Sequence, residues 1–135
     1  MPQVWLGAAF GWSVPMAFAA EAGTLDRTAW LLFLANVLWS TAYDTIYAMV
    51  DRDDDIKAGA RSTAILFGDL DLVAIGIIHG TFLVCMALVG HRFELEWPYH
   101  AALVAAAALI ARQHWIIRTR DRAHCFQAFR QSHWV

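Results

Sequence analysis

Leu72-Val-Ala-Ile-Gly-Ile-Ile-His-Gly-Thr-Phe-Leu-Val-Cys-Met-Ala-Leu-Val-Gly90 runs for 19 residues without an Asp, Glu, Lys or Arg. A helix needs roughly 17–25 such residues to cross a hydrocarbon core. Three more stretches of the chain have the same character. Val4 to Ala20 is uncharged, Ala29 to Val50 is broken only by Asp44, and Trp97 to Ile117 only by Arg112. Backbone groups in lipid must be satisfied within the segment, so helices are the expected form. Composition agrees. Apolar types make up 59% of the 135 residues and charged types 16%, against roughly 45–50% and 25% in ordinary globular chains. This excludes a disordered chain, and 135 residues are too few to hide so much apolar surface as a soluble monomer. The expected fold is all-α, a polytopic membrane bundle with four transmembrane helices. Pro15 should kink the first of them. Gly7, Ala8 and Gly11 give it a small-residue face for close packing, and Gly76 and Gly80 form a G-x-x-x-G in the third.

The connectors are polar. Thr28 is a candidate N-cap after the short 21–26 segment, and Trp97-Pro98 reads as a helix start with an interfacial Trp. Arg118 to Arg130 reads as an amphipathic helix at the membrane edge. With four spans, Arg52, Lys57, Arg61, Arg118, Arg120, Arg122 and Arg130 fall on one side, and Arg112 snorkels toward them. Arg27 and Arg92 fall on the other, so the acidic connector after Val50 should face the cytoplasm. A formal net charge of −2 argues for no nucleic-acid partner. Cys85 and Cys125 lie 40 apart in different segments and outline neither a disulfide framework nor a zinc site.

Chemistry concentrates in Tyr43-Asp-Thr-Ile-Tyr-Ala-Met-Val-Asp-Arg-Asp-Asp-Asp55. On one continuing helix Asp44, Tyr47, Asp51 and Asp55 share a face. Carboxylates stacked this way repel unless a cation neutralises them, and oxygen ligands suit a hard divalent ion. Mg²⁺ typically takes one or two carboxylates, keeps waters and bridges to phosphate oxygens. Lys57 and Arg61 follow closely and suit an anion. Together these residues fit a diphosphate site at a membrane surface. A solvated acidic loop is the plain alternative. An EF-hand is excluded, because its sixth and twelfth positions would be Ile56 and Ser62.

The run Ala42 to Asp55, then Lys57, Gly59 and Arg61-Ser-Thr-Ala-Ile-Leu-Phe-Gly68, resembles the second aspartate-rich motif of the UbiA-type intramembrane prenyltransferases. Pro2-Gln-Val4, Leu6-Gly-Ala-Ala-Phe-Gly-Trp12 and Pro15-Met-Ala-Phe-Ala-Ala20 resemble the central region of the members that prenylate 4-hydroxybenzoate in ubiquinone synthesis. The likeness continues more loosely to Cys125-Phe-Gln-Ala-Phe129. The resemblance implies a helical bundle of about nine spans around a central cavity. It implies an Mg²⁺-dependent transferase of the bacterial inner membrane, moving a polyprenyl group from polyprenyl diphosphate to the aromatic ring. Asp51 and Asp55 match the D-x-x-x-D pair of that motif, with Asp54 joining them as a metal ligand. Asp44, Tyr47, Lys57 and Arg61 are then expected to bind substrate. The family's first motif, N-D-x-x-D-x-x-x-D, does not occur in these 135 residues. The chain therefore reads as a partial domain, 1–135, lacking both ends and inactive alone.

Other residues have plainer readings. His79 is expected to be a packed histidine, His114 and most tryptophans interfacial, and Cys85 a small hydrophobe. Cys125, beside basic residues, is a weak candidate for palmitoylation. Two other function classes compete: a transporter piece with Asp44 on a cation path, and a structural subunit with a partner-binding acidic loop. Neither accounts for Lys57 and Arg61 beside the carboxylates.

Overall fold

A computed structural model describes residues 2–135, with Pro2 by its backbone alone. Eight helices follow in order: α1 (Pro2–Gly11), α2 (Ser13–Ala22), α3 (Arg27–Val50), α4 (Arg52–Ala58), α5 (Thr63–Phe67), α6 (Asp71–Arg92), α7 (Trp97–Ile117) and α8 (Arg122–Gln131). No strand occurs among the described residues.

The first apolar stretch is a broken rod. α1 and α2 meet at Trp12, whose N–H still bonds the Ala8 carbonyl at 3.0 Å. Pro15 has no N–H to offer the carbonyl of Gly11, so the ladder yields there, as expected. α3 is the hub, packing against α1, α2, α5, α6 and α8. Its 24 residues extend about 36 Å. Its N-cap is Asp26 rather than Thr28: the Asp26 carboxylate accepts from Thr28 N at 2.9 Å and Ala29 N at 3.0 Å. Asp precedes the first helical turn by the right interval, whereas Thr28 already lies inside it. These bonds, that from Ala29 foremost, hold the Asp26 carboxyl below the usual Asp range.

The small-residue face of α1 meets α3 closely. A Cβ on Gly7 would sit 3.1 Å from the Val37 carbonyl oxygen, and one on Gly11 3.2 Å from Asn36 Oδ1. Gly76 comes within reach of the His114 ring, but nothing approaches Gly80, so the G-x-x-x-G pair does not act as one packing face.

Two segments, Thr63–Arg92 and Trp97–Ile117, are long and apolar enough to cross a membrane. The other two expected spans have the length, but α1–α2 is interrupted and α3 carries Asn36, Ser40, Thr41, Asp44 and Thr45 along its course. A hydrophobic core gathers at the acidic end of α3. Ile46, Met49, Val50, Ala64, Ile75, Ile117, Cys125 and Ala128 are all buried there. α8 is amphipathic, as expected of the 118–130 segment, and its apolar side is docked into this core. Buried Cys125 is therefore out of reach of a lipid-attaching enzyme. Gln113 Nε2 ties α7 to the end of α8, donating to the Ala128 carbonyl at 2.8 Å and to Ser132 Oγ at 2.5 Å.

Candidate functional site

The helix expected to run unbroken through the acidic segment divides at Asp51, where φ is −96° and ψ 8°. The ladder is interrupted there: Asp51 N reaches the Tyr47 carbonyl at 3.4 Å to end α3, and Asp55 N donates to Asp51 O at 2.8 Å to begin α4. Aspartates crowd the first turn of α4, where the amide end of a helix dipole favours negative charge. Gly59 closes α4 in the left-handed conformation, φ 71°, and its N–H meets the Ile56 carbonyl at 3.2 Å.

Despite the joint, Asp44, Tyr47, Asp51 and Asp55 line one cleft of about 400 Å³, with Gln3 and Leu6 of α1 as the facing wall. Gln3 Oε1 accepts from Thr63 N at 3.3 Å, so the same side chain fixes the start of α5 against α1. Thr45 and Thr63 join hydroxyls at 2.7 Å behind the cleft, in full burial. A second cleft of about 370 Å³ shares Leu6 and Asp44 with the first and adds Phe10, Trp39 and Tyr43. A third of about 410 Å³ shares Trp39 with the second and reaches Leu32 and Met86. The three form an aromatic-lined groove along α3, with carboxylates at one end. Phe129 of α8 packs beside it, its ring 4.5 Å from that of Tyr43 and 4.8 Å from that of Tyr47.

The other predicted residues stand apart. Asp54 lies outside the cleft, 3.9 Å from Lys57 Nζ and 3.4 Å from Arg122 Nη2. Lys57 and Arg61 are exposed and do not line it. The cation beside the carboxylates is Arg122, 3.8 Å from Asp51 Oδ1. Arg122 lies in the basic 118–130 segment, where nothing local distinguishes it from Arg118, Arg120 or Arg130. Asp71, equally inconspicuous in sequence, is fully buried and bonded by Arg52 Nη1 at 3.2 Å, Arg120 Nε at 3.0 Å and Arg120 Nη2 at 2.9 Å. Arg120 Nη2 also donates to the Asp69 carbonyl at 2.5 Å, and its contacts with Asp71 raise its pKa further. Asp71 thereby joins the roots of α4, α6 and α8. An Asp opening an apolar helix beside two arginines elsewhere in the chain was the available signal.

Among the described residues no three His, Cys, Asp or Glu side chains converge as a metal cluster. Asp51 and Asp55 nonetheless supply what Mg²⁺ takes from protein, one or two carboxylates with room for water and phosphate oxygens.

The UbiA prenyltransferase family matches residues 1–135. This chain belongs to that family. It is 57% identical over 134 residues to the 4-hydroxybenzoate octaprenyltransferase of Pseudomonas fluorescens (strain SBW25), covering 99% of this chain and 45% of that protein. It is 54% identical over 135 residues to the enzyme of that name from Alcanivorax borkumensis, covering 100% of this chain and 47% of that protein. The one from Xylella fastidiosa (strain M23) is 56% identical over 135 residues, again 100% of this chain and 45% of the relative. The chain thus spans just under half the length of the curated relatives it matches. No solved structure matches it. The UbiA family is polytopic and membrane-embedded, in keeping with the helical bundle and its two long apolar segments.

Proposed function

We propose that this chain forms the diphosphate-binding side of an aromatic polyprenyltransferase, which joins a polyprenyl group to the ring of 4-hydroxybenzoate for ubiquinone synthesis. The observation that carries this reading is the placement of Asp44, Tyr47, Asp51 and Asp55 around one cleft, continuous with an aromatic groove. The names of the relatives supply the substrate class.

In this reading the donor lies with its diphosphate at Asp51 and Asp55 and its apolar chain along Phe10, Trp39 and Tyr43. Asp51 and Asp55 would hold Mg²⁺, which when bound neutralises charge on the departing diphosphate. The groove's aromatic faces favour the allylic cation left when the C1–O bond opens. The ring carbon ortho to the acceptor's hydroxyl then attacks that carbon, and loss of the proton it carried, to the released diphosphate or to water, restores the aromatic ring. Asp44 stands where cleft and groove meet, and Tyr47, 44% exposed and braced by Phe129, lines the cleft beside it. Lys57 and Arg61 add positive charge at the outer rim. The protein sits in the bacterial inner membrane with the acidic connector facing the cytoplasm, by the excess of Lys and Arg on that side.

The test uses the full-length protein in membranes. Asp51→Asn and Asp55→Asn should each insert normally and lower prenyl transfer about a hundredfold or more. Normal turnover in either variant would remove the basis of this reading.

A further inference from the structure

Two arginines stand two residues apart where α7 turns into α8, and they are held very differently. Arg120 is locked. Its guanidinium makes three hydrogen bonds, two of them to the fully buried Asp71. Arg122 is 64% exposed, makes one long hydrogen bond, from Nη2 to Asp54 Oδ2 at 3.4 Å, and reaches Asp51 only at the outer limit of an ion pair, 3.8 Å. The root of α8 is therefore fixed beside α4, while the head of Arg122 is free to turn. Asp51 also lines the cleft with Asp55. One carboxylate cannot serve a guanidinium and a divalent ion equally well, because the two cations repel at that distance.

We infer that Arg122 is an exchangeable counter-ion, resting on Asp51 and Asp54 until a divalent metal takes Asp51, then turning its guanidinium onto the diphosphate. This rests on the proposed diphosphate site and adds to it a named residue from α8. A guanidinium presents paired N–H groups that match phosphate oxygens, which an ammonium does not. The nearby Lys57 cannot fill this place, since it reaches Asp54 alone, at 3.9 Å, and does not line the cleft.

The exchange gives opposite signs to two measurements on the full-length protein. With Mn²⁺ alone, followed by its electron paramagnetic resonance, Arg122→Gln should bind the metal about threefold more tightly, because a competing cation has gone. With inorganic pyrophosphate in the presence of Mg²⁺, followed by calorimetry, the same variant should bind about tenfold more weakly. Arg122→Lys should fall between wild type and Arg122→Gln in both. The inference is overturned if Arg122→Gln leaves either affinity unchanged, or shifts both in one direction. A wild-type protein that binds neither Mn²⁺ nor pyrophosphate overturns the diphosphate site itself instead.

Discussion

At Gly90 one methyl group decides how α6 and α7 close. A Cβ there would lie 2.3 Å from the Tyr99 ring. Tyr99 has little freedom to retreat, because its hydroxyl donates to the Met86 carbonyl at 2.6 Å. Gly90→Ala should therefore cost about 1–3 kcal/mol by overpacking. Gly80→Ala, with open space around it, should stay within about 0.5 kcal/mol. Reversible unfolding in mixed micelles checks the pair. Cys125 carries a second single-residue prediction. Burial first, then the Asp71 and Asp121 carboxylates, push its thiol up to about 11 from an ordinary 9.0. A thiol held protonated in the folded state stabilises the fold fully below the unfolded value. That contribution is lost as the pH rises from 9.0 toward about 11. The melting temperature should fall over that window in wild type and less in Cys125→Ala, and maleimide should label native Cys125 slowly.

The elements show why some of the site was legible and some was not. Periodicity alone brought Asp44, Tyr47, Asp51 and Asp55 to one face, and they do line one cleft. The face survives the joint because Asp51, at φ −96° and ψ 8°, departs only modestly from helical backbone and α4 starts from it directly. The apolar runs likewise located α6, α7 and the kink near Pro15, since solvation and proline geometry are local properties. What pairs with what is not local. Lys57 and Arg61 are close to the aspartates in sequence, yet the cation that reaches Asp51 is 71 positions away in Arg122. The role of Asp71 was not legible because its partners, Arg52 and Arg120, are brought to it only where α4, α6 and the start of α8 meet. Spacing along one helix also could not fix the cap of α3, where Asp26 outcompetes Thr28 by standing two residues earlier, just ahead of the first turn.

Across the whole molecule, order and polarity are graded along α3. Its acidic end is enclosed by the buried hydrophobic core, with residues from α5, α6, α7 and α8. Toward its other end large side chains such as Trp12, Trp30 and Leu34 stay exposed, at 53%, 44% and 45%. The hub is thus less apolar than α6 or α7, because it carries the polar and aromatic side chains that line the groove. That has a consequence for biosynthesis. A translocon tests each segment for partition into lipid as it emerges, and every polar residue near mid-helix tells against entry. α3 presented alone should therefore enter the bilayer incompletely, while α6 and α7 enter unaided. Joined behind α1 and α2, with Gly7 and Gly11 of α1 seated directly on it, α3 should enter nearly completely. Glycosylation-tagged insertion of α3 with and without residues 2–26 measures the difference. Equal insertion in both would mean that α3 needs no chaperoning helix, and that the cost of carrying a binding groove is borne by the folded bundle and not by its assembly.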